Sequence, residues 1–335
     1  MSITAKELAQ KLNISATAVS MALNNRPGVS TTTRNRILEA AEKYGYDLSR
    51  HQISKIQSNE IYFIAYRAYD TVLNYNGIFF EMFEGMEEEC RKSNYHIQIL
   101  HVNDSEIDVE NIIGELRIRS TAGLILLGTT ITKKACLAFL ALGVPTILLD
   151  SYLDALECSS VLINNKQGAY LAAEYLIHTR KAQPGYISST LRLGNFEERQ
   201  MGFRSALRDH GLSPAKSVTH EVSPSIEGAF TDMLDIIEKG EELADCYFAE
   251  NDLIAIGTIK ALTLCGIKVP DEVGIIGFDN IGMCSVVQPA LTSISIPRKF
   301  MGQTAARQLI YQIQENNLHP VKIEVAAKLI KRFSV

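Results

Sequence analysis

The 335-residue chain has no uninterrupted apolar run near the length a membrane helix requires, and its mean hydropathy is only +0.03. A transmembrane span takes about 20 such residues, so no membrane partner is expected. Its start lacks the charged-then-apolar order of a secretory leader, which makes the cytoplasm the expected compartment. Six cysteines (Cys90, Cys136, Cys158, Cys246, Cys265 and Cys284) include no C-x-x-C. They read as reduced, mostly buried small hydrophobes rather than as disulfides or a zinc ribbon. Seven histidines include no H-x-x-x-H pair, so no metal site is expected. Catalytic signatures are absent too: no G-x-G-x-x-G, Walker A, G-x-S-x-G or H-E-x-x-H. Ser213-Pro214-Ala215-Lys216 spells S-x-x-K, but next to Gly211 it reads as a loop. Neither an enzymatic activity nor a cofactor is expected.

The chain does have capped helices at its start. Thr4 and Glu7 spell a capping box that opens a helix near residue 5, with Leu8 and Leu12 inward and Ile14 beneath a turn. Ser15 caps a second helix with Val19, Ala22 and Leu23 on one face. Arg26-Pro27-Gly28 breaks it. Ser30 caps a third, with Ile37, Leu38, Ala41 and Tyr44 at helical spacing and Gly45 suited to end it. Two helices around a tight turn, braced by a third, place the second helix in a DNA major groove. Its outward residues would be Ala16, Thr17, Ser20, Met21 and Asn24, small or polar as base and phosphate contacts require. These residues alone also fit a capped bundle with no DNA role. Charge favours DNA: residues 1–60 hold eight basic and five acidic side chains, a net +3 in a chain of −5.

Beyond residue 60, apolar strands and amphipathic helices alternate. Strands are expected at 61–66, 96–102, 123–128, 145–150 and 161–164, then at 185–189, 217–222, 245–250, 274–279 and 291–296. Helices are expected at 79–93, 167–178, 197–210 and 253–265, among others. With 46% apolar residues the chain can fill large cores. Two series of βα units predict two doubly wound parallel-sheet subdomains, with a ligand crevice between them at the carboxyl ends of the strands.

The run from Glu7 to Tyr46 resembles the headpiece of the lac repressor family without a gap, in Glu7-Leu8-Ala9, Ile14-Ser15, Ala18-Val19-Ser20, Leu23-Asn24, Val29-Ser30, Thr33-Arg34 and Gly45-Tyr46. The body resembles the same family's effector domain, a relative of periplasmic sugar-binding proteins. The matching segments include Gly77-Ile78-Phe79-Phe80, Asn164-Asn165-Lys166-Gln167-Gly168, Glu198-Arg199-Gln200-Met201-Gly202-Phe203, Asn251-Asp252 and Gly277-Phe278-Asp279-Asn280. The expected architecture is an all-α helix-turn-helix headpiece (1–46), a hinge (47–60) and an α/β type I periplasmic-binding-protein-like domain (61–333). One subdomain would take about 61–161 plus 296–321, the other about 162–291 plus 322–333.

The resemblance implies a homodimeric regulator, most simply a repressor, that binds a pseudo-palindromic operator under control of a sugar or sugar phosphate. Ala16 and Thr17, with Met21 a turn later, match its base-reading positions; Ser15, Ser20, Asn24, Ser30 and Thr33 match its phosphate-holding positions. The hinge departs from the family pattern: its proline is missing, Ser49 stands for Asn, and Lys55 takes the place of the leucine that wedges into the minor groove. Ile53 and Ile56 are the alternative wedges, and a plain linker remains the other reading of the segment. The effector candidates are Phe79 for stacking, Arg199 as donor, Asp150 and Asp279 as acceptors and Asn251 as both. Their structural alternatives are core packing, an ion pair, a turn and a helix cap. Sugar-binding members often carry an aromatic in the second half of the cleft; Ser223-Pro224-Ser225 lies there, so no such platform is expected. A sugar-binding module without DNA binding and a sugar-modifying enzyme are the competing functions.

Overall fold

The computed structural model describes residues 3–23, 28–44, 46, 58–68, 76–315 and 319–335. They fall into two compact units that divide between Ser58 and Asn59.

The first unit holds α1 (Ala5–Leu12), α2 (Ala16–Leu23) and α3 (Thr31–Lys43). Thr4 caps α1 with the full reciprocal box: the Glu7 N–H donates to the Thr4 hydroxyl at 3.3 Å, and the Thr4 N–H donates to the Glu7 carboxylate at 2.6 Å. Asn13 ends the helix in the left-handed region at φ 53°, which asparagine tolerates. Ser15 and Ser30 accept the N–H groups of Ala18 and Thr33, so all three expected starts are in place. Leu8, Ala9, Val19, Ala22, Leu23, Ile37, Ala40 and Ala41 form the core. Tyr44 does not join it: the ring is 38% exposed, with the Lys11 Nζ 4.6 Å from its centroid. Tyr46 and Val29 pack against the core instead.

The second unit runs β1 (Glu60–Arg67), α4 (Asn76–Lys92), β2 (His96–Asn103), α5 (Glu106–Ile118), β3 (Gly123–Leu127), α6 (Lys133–Leu140), β4 (Thr146–Leu149) and β5 (Ser159–Ile163). It continues with α7 (Asn165–Arg180), β6 (Gly185–Ser189), α8 (Gly194–Asp209), β7 (Thr219–Val222), α9 (Ile226–Glu238), β8 (Cys246–Ala249), α10 (Asp252–Leu264) and β9 (Gly274–Asp279). It closes with β10 (Thr292–Ser295), α11 (Arg298–Glu315), β11 (Lys322–Val325) and β12 (Lys328–Ile330). The strands make two sheets, β11-β5-β4-β3-β1-β2 and β12-β10-β9-β8-β6-β7. All pairings are parallel except β10–β12.

Both faces of each sheet are covered, which is why the central strands are apolar throughout rather than alternating. Ile61 and Phe63 of β1 point into one core with Ile125, Ile147 and Leu309; Tyr62, Ile64 and Tyr66 point into another with Leu124, Val109 and Phe139. In the second sheet Cys246 and Phe248 face one core while Tyr247 and Ala249 face the other. Four of the six cysteines are buried, Cys158 is half-buried and Cys265 is exposed. Among the described residues no helix is long and apolar enough to cross a membrane.

The expected subdomain boundary needs correction. Residues 322–333 do not all belong to the second lobe: β11 pairs in parallel with β5 as the outer strand of the first sheet, and only β12 returns to the second. β5 also keeps residues 162 and 163 in the first lobe. The chain therefore passes between the lobes at β5–α7, β10–α11 and β11–β12. β11 is four residues long and half charged (Lys322-Ile323-Glu324-Val325), and so short a strand does not encode which sheet edge it joins.

Candidate functional site

On α2, Ser15, Ala16, Thr17 and Ser20 are exposed and Met21 is half-buried, with its sulfur near Gly28. The outward face is therefore chiefly Ala16, Thr17 and Ser20. Ser30 is exposed and Thr33 half-buried, their hydroxyls 2.8 Å apart. Asn24, Ile53, Lys55 and Ile56 lie outside the described residues, as does nearly all of the expected 47–60 hinge.

In the second unit a cavity of about 340 Å³ opens between the lobes at the carboxyl ends of the strands. Phe79, Asp150, Arg199, Asn251 and Asp279 all line it. Asp150, Asn251 and Asp279 stand at the ends of parallel strands, and Phe79 and Arg199 come from the first two turns of α4 and α8, the expected location for a ligand in such folds.

Asp150 follows β4 at φ 63° and is buried. Its carboxylate accepts the Thr129 hydroxyl at 2.6 Å and the Asn195 amide at 3.2 Å. Asn195 belongs to α8, so this bond joins the two lobes across the cavity. Burial pushes the Asp150 carboxyl up to about 6, with Thr129, Arg199 and Asn195 opposing. Asp279 ends β9 at φ 108°, and its carboxyl is likewise raised by burial against the pull of Arg199 and Arg298. Two aspartates in a backbone region that L-residues rarely occupy are strain placed at one cavity.

Arg199 is only 3% exposed. Its Nε donates to Asn165 at 3.0 Å, one terminal nitrogen to the Glu250 carbonyl at 2.5 Å and the other to Asp279 at 3.4 Å; the guanidinium lies 3.6 Å from the Phe278 ring centroid. The ion-pair alternative is thus realised, in the interior rather than on the surface, on a side chain that also faces the cavity. The unfavourable position of a cation near a helix start is offset by Asp279 and the Glu250 carbonyl. Asn251 caps α10 by accepting the Ile254 N–H at 2.9 Å, so the helix-cap alternative is realised as well. Phe79 stacks on Phe63 at 5.1 Å yet remains half-buried. Asp252 is turned away from the cavity: it accepts from Ser293, Ile281 and Cys284 and knits α10 to β10.

The structure adds residues that sequence reasoning missed. Phe196 lines the cavity from α8, so the second lobe carries an aromatic at a position other than Ser223-Pro224-Ser225, none of which lines the cavity. Phe80, His101, Arg67, Arg298, Thr129 and Asn195 line it too. Asn165, in a segment already quoted for its family likeness, is buried and holds Arg199, Asn195 and Glu198 together. Its place three residues before Gly168, at a strand-to-helix turn, was the available signal.

A helix-turn-helix unit carried with a two-lobed cleft domain defines a ligand-responsive transcription regulator. The chain carries a lacI-family DNA-binding headpiece, matched over residues 4–48 by the model of bacterial regulatory proteins of the lacI family, and a periplasmic binding protein-like domain, whose model matches residues 173–335. Relatives span the whole chain. The NTD biosynthesis operon regulator NtdR of Bacillus subtilis is 29% identical and the transcriptional repressor PurR of Aliivibrio salmonicida 25%, each over 99% of this chain and 99% and 98% of its own length. Among solved structures, the CelR–cellobiose complex superposes with a TM-score of 0.75 at 21% identity, covering 99% of this chain and all of that one. The Lac repressor dimer bound to operator and the anti-inducer ONPF gives 0.70 at 20% identity, covering 100% and 99%. A lacI-family regulator from Enterococcus faecium with bound ribose gives 0.69 at 25% identity, covering 82% of this chain and 98% of that one.

Proposed function

We propose that this regulator binds a pseudo-palindromic operator as a homodimer, and that a small carbohydrate in the cleft between the lobes sets its operator affinity. The observation that carries the reading is the cavity itself: aromatic rings from both lobes, Phe79 and Phe196, with donors and acceptors from both lobes between them. Rings stack on the apolar faces of sugars, while buried carboxylate, amide and guanidinium groups read hydroxyls. Cellobiose and ribose in proteins of the same fold support this ligand class. The site has the character of a binding site rather than a reaction centre, and the protein would act in the cytoplasm, where the operator is. Residues 47–60 are the proposed hinge. Ala16, Thr17 and Met21 are the proposed base-reading residues, and Ser15, Ser20, Ser30 and Thr33 the proposed phosphate contacts.

Selection from random-sequence DNA with the full chain tests the reading, and should enrich a two-fold symmetric site. Thr17→Ala should then weaken binding to that site by about 1 kcal/mol or more while binding to unrelated duplex stays unchanged, since base contacts specify and phosphate contacts position. Equal loss on both duplexes would remove Thr17 from the base-reading set.

A further inference from the structure

Glu174 and His178 stand one turn apart on α7, and His210 stands at the C-terminal end of α8, which packs alongside. Each offers one ligand atom, and the three atoms lie within 4.8 Å of one another. The His210 Nε2 is 3.9 Å from a Glu174 oxygen, and the two imidazole rings sit edge to face with centroids 5.0 Å apart. The other His210 nitrogen, Nδ1, lies 2.9 Å from the Ala206 carbonyl oxygen. A carbonyl only accepts, so Nδ1 donates to it and Nε2 is the nitrogen turned toward Glu174. A backbone carbonyl holding one imidazole nitrogen so that the other can ligate is the outer-shell arrangement of histidine metal sites.

We propose that Glu174, His178 and His210 form a binding site for a divalent transition metal of the zinc class, one that ties the C-terminal end of α7 to that of α8. Two imidazoles and a carboxylate are a ligand set that zinc accepts, with bonds of about 2.0–2.2 Å and a fourth position left to water. Ligand atoms around such an ion lie about 3.3 Å apart. Closing the present spacing therefore takes side-chain rotation of about an ångström, which exposed His178 permits. His178 is exposed, so the fourth position faces solvent. Calcium and magnesium would not suit two imidazoles, because hard cations take oxygen. The site is separate from the cleft, so its fate does not depend on the regulatory reading.

The test uses the full chain with Cys265→Ser, which removes the exposed thiol, stripped with chelator and titrated with Co²⁺ and then Zn²⁺. One ion per chain should bind, giving cobalt ligand-field bands without a thiolate charge-transfer band and raising the melting temperature. His178→Ala, His210→Ala and Glu174→Gln should each lower affinity at least about tenfold, the scale seen even for outer-shell losses. His178→Ala should leave the metal-free melting temperature unchanged, which separates lost ligation from lost folding. Absence of stoichiometric binding, a thiolate band, or affinity unchanged in His178→Ala would overturn the proposal.

Discussion

Individual residues in the cleft hold the fold as well as lining the cavity. Arg199 was singled out in the sequence by its motif, but its bonds to Asn165, the Glu250 carbonyl and Asp279 could not be seen there, because those partners come from α7, β8 and β9. Removing it takes from the buried Asp279 carboxylate the one cation that hydrogen-bonds it and leaves only the weaker pull of Arg298. Arg199→Ala should therefore destabilise the protein by about 3–5 kcal/mol, read from the urea midpoint, as breaking a buried ion pair does; an unchanged midpoint would mean that Asp279 finds another partner. Glu250 makes a different prediction. Burial pushes its carboxyl up to about 7, against the hydrogen bonds it accepts from the Ser189 N–H and the Tyr186 hydroxyl. A carboxyl raised above its unfolded value of about 4.3 takes up its proton more readily in the folded chain. The stability it contributes is therefore present at low pH and is lost as pH climbs from about 4 to about 7. Between pH 8 and pH 5 the wild type should gain more stability than Glu250→Gln, by on the order of 2 kcal/mol. Parallel pH profiles for the two proteins would contradict this.

Elements were more legible than contacts. Caps at Thr4, Ser15 and Ser30 marked three helix starts, and apolar runs marked β1 to β10 to within two residues, because both signals are local; β11 and β12, three or four residues long and interrupted by lysine or glutamate, were not marked. What the sequence hid depends on distant partners: the pairing of β11 with β5, the exposure of Tyr44, and the arrival of Phe196 in the cavity. One quoted motif position gained its reason only from packing. A methyl group on Gly202 of α8 would lie 2.1 Å from the Lys166 carbonyl oxygen at the start of α7. Since the obstacle is backbone, the helices must separate to admit it. Gly202→Ala should cost about 1–3 kcal/mol in urea unfolding, the range for overpacking. It should also weaken cleft ligands, because the Asn165–Arg199 contact sits at the same crossing. Wild-type stability in that variant would show that the helices part without cost.

At the scale of the molecule, three chain passages join the lobes, and the Asp150–Asn195 bond spans the cavity between them. A ligand that engages both lobes favours one lobe arrangement over another, and the difference in its affinity for the two is all the free energy available to act on DNA. Typical couplings are about 1–3 kcal/mol, or roughly 5–150-fold in affinity. The headpiece was legible in the sequence through an ungapped motif and the cleft through two series of βα units; the identity of a ligand was not, since it depends on how rings and polar groups from both lobes are spaced. The most direct measurement of the central claim is a fluorescence-anisotropy titration of the selected operator with the full chain, alone and with millimolar pentoses, hexoses, disaccharides and sugar phosphates in turn. At least one of these should shift operator Kd by fivefold or more, and Asp150→Asn should abolish the shift while leaving sugar-free operator binding unchanged. A shift that survives intact in Asp150→Asn, or operator affinity indifferent to every carbohydrate tried, would contradict the central claim.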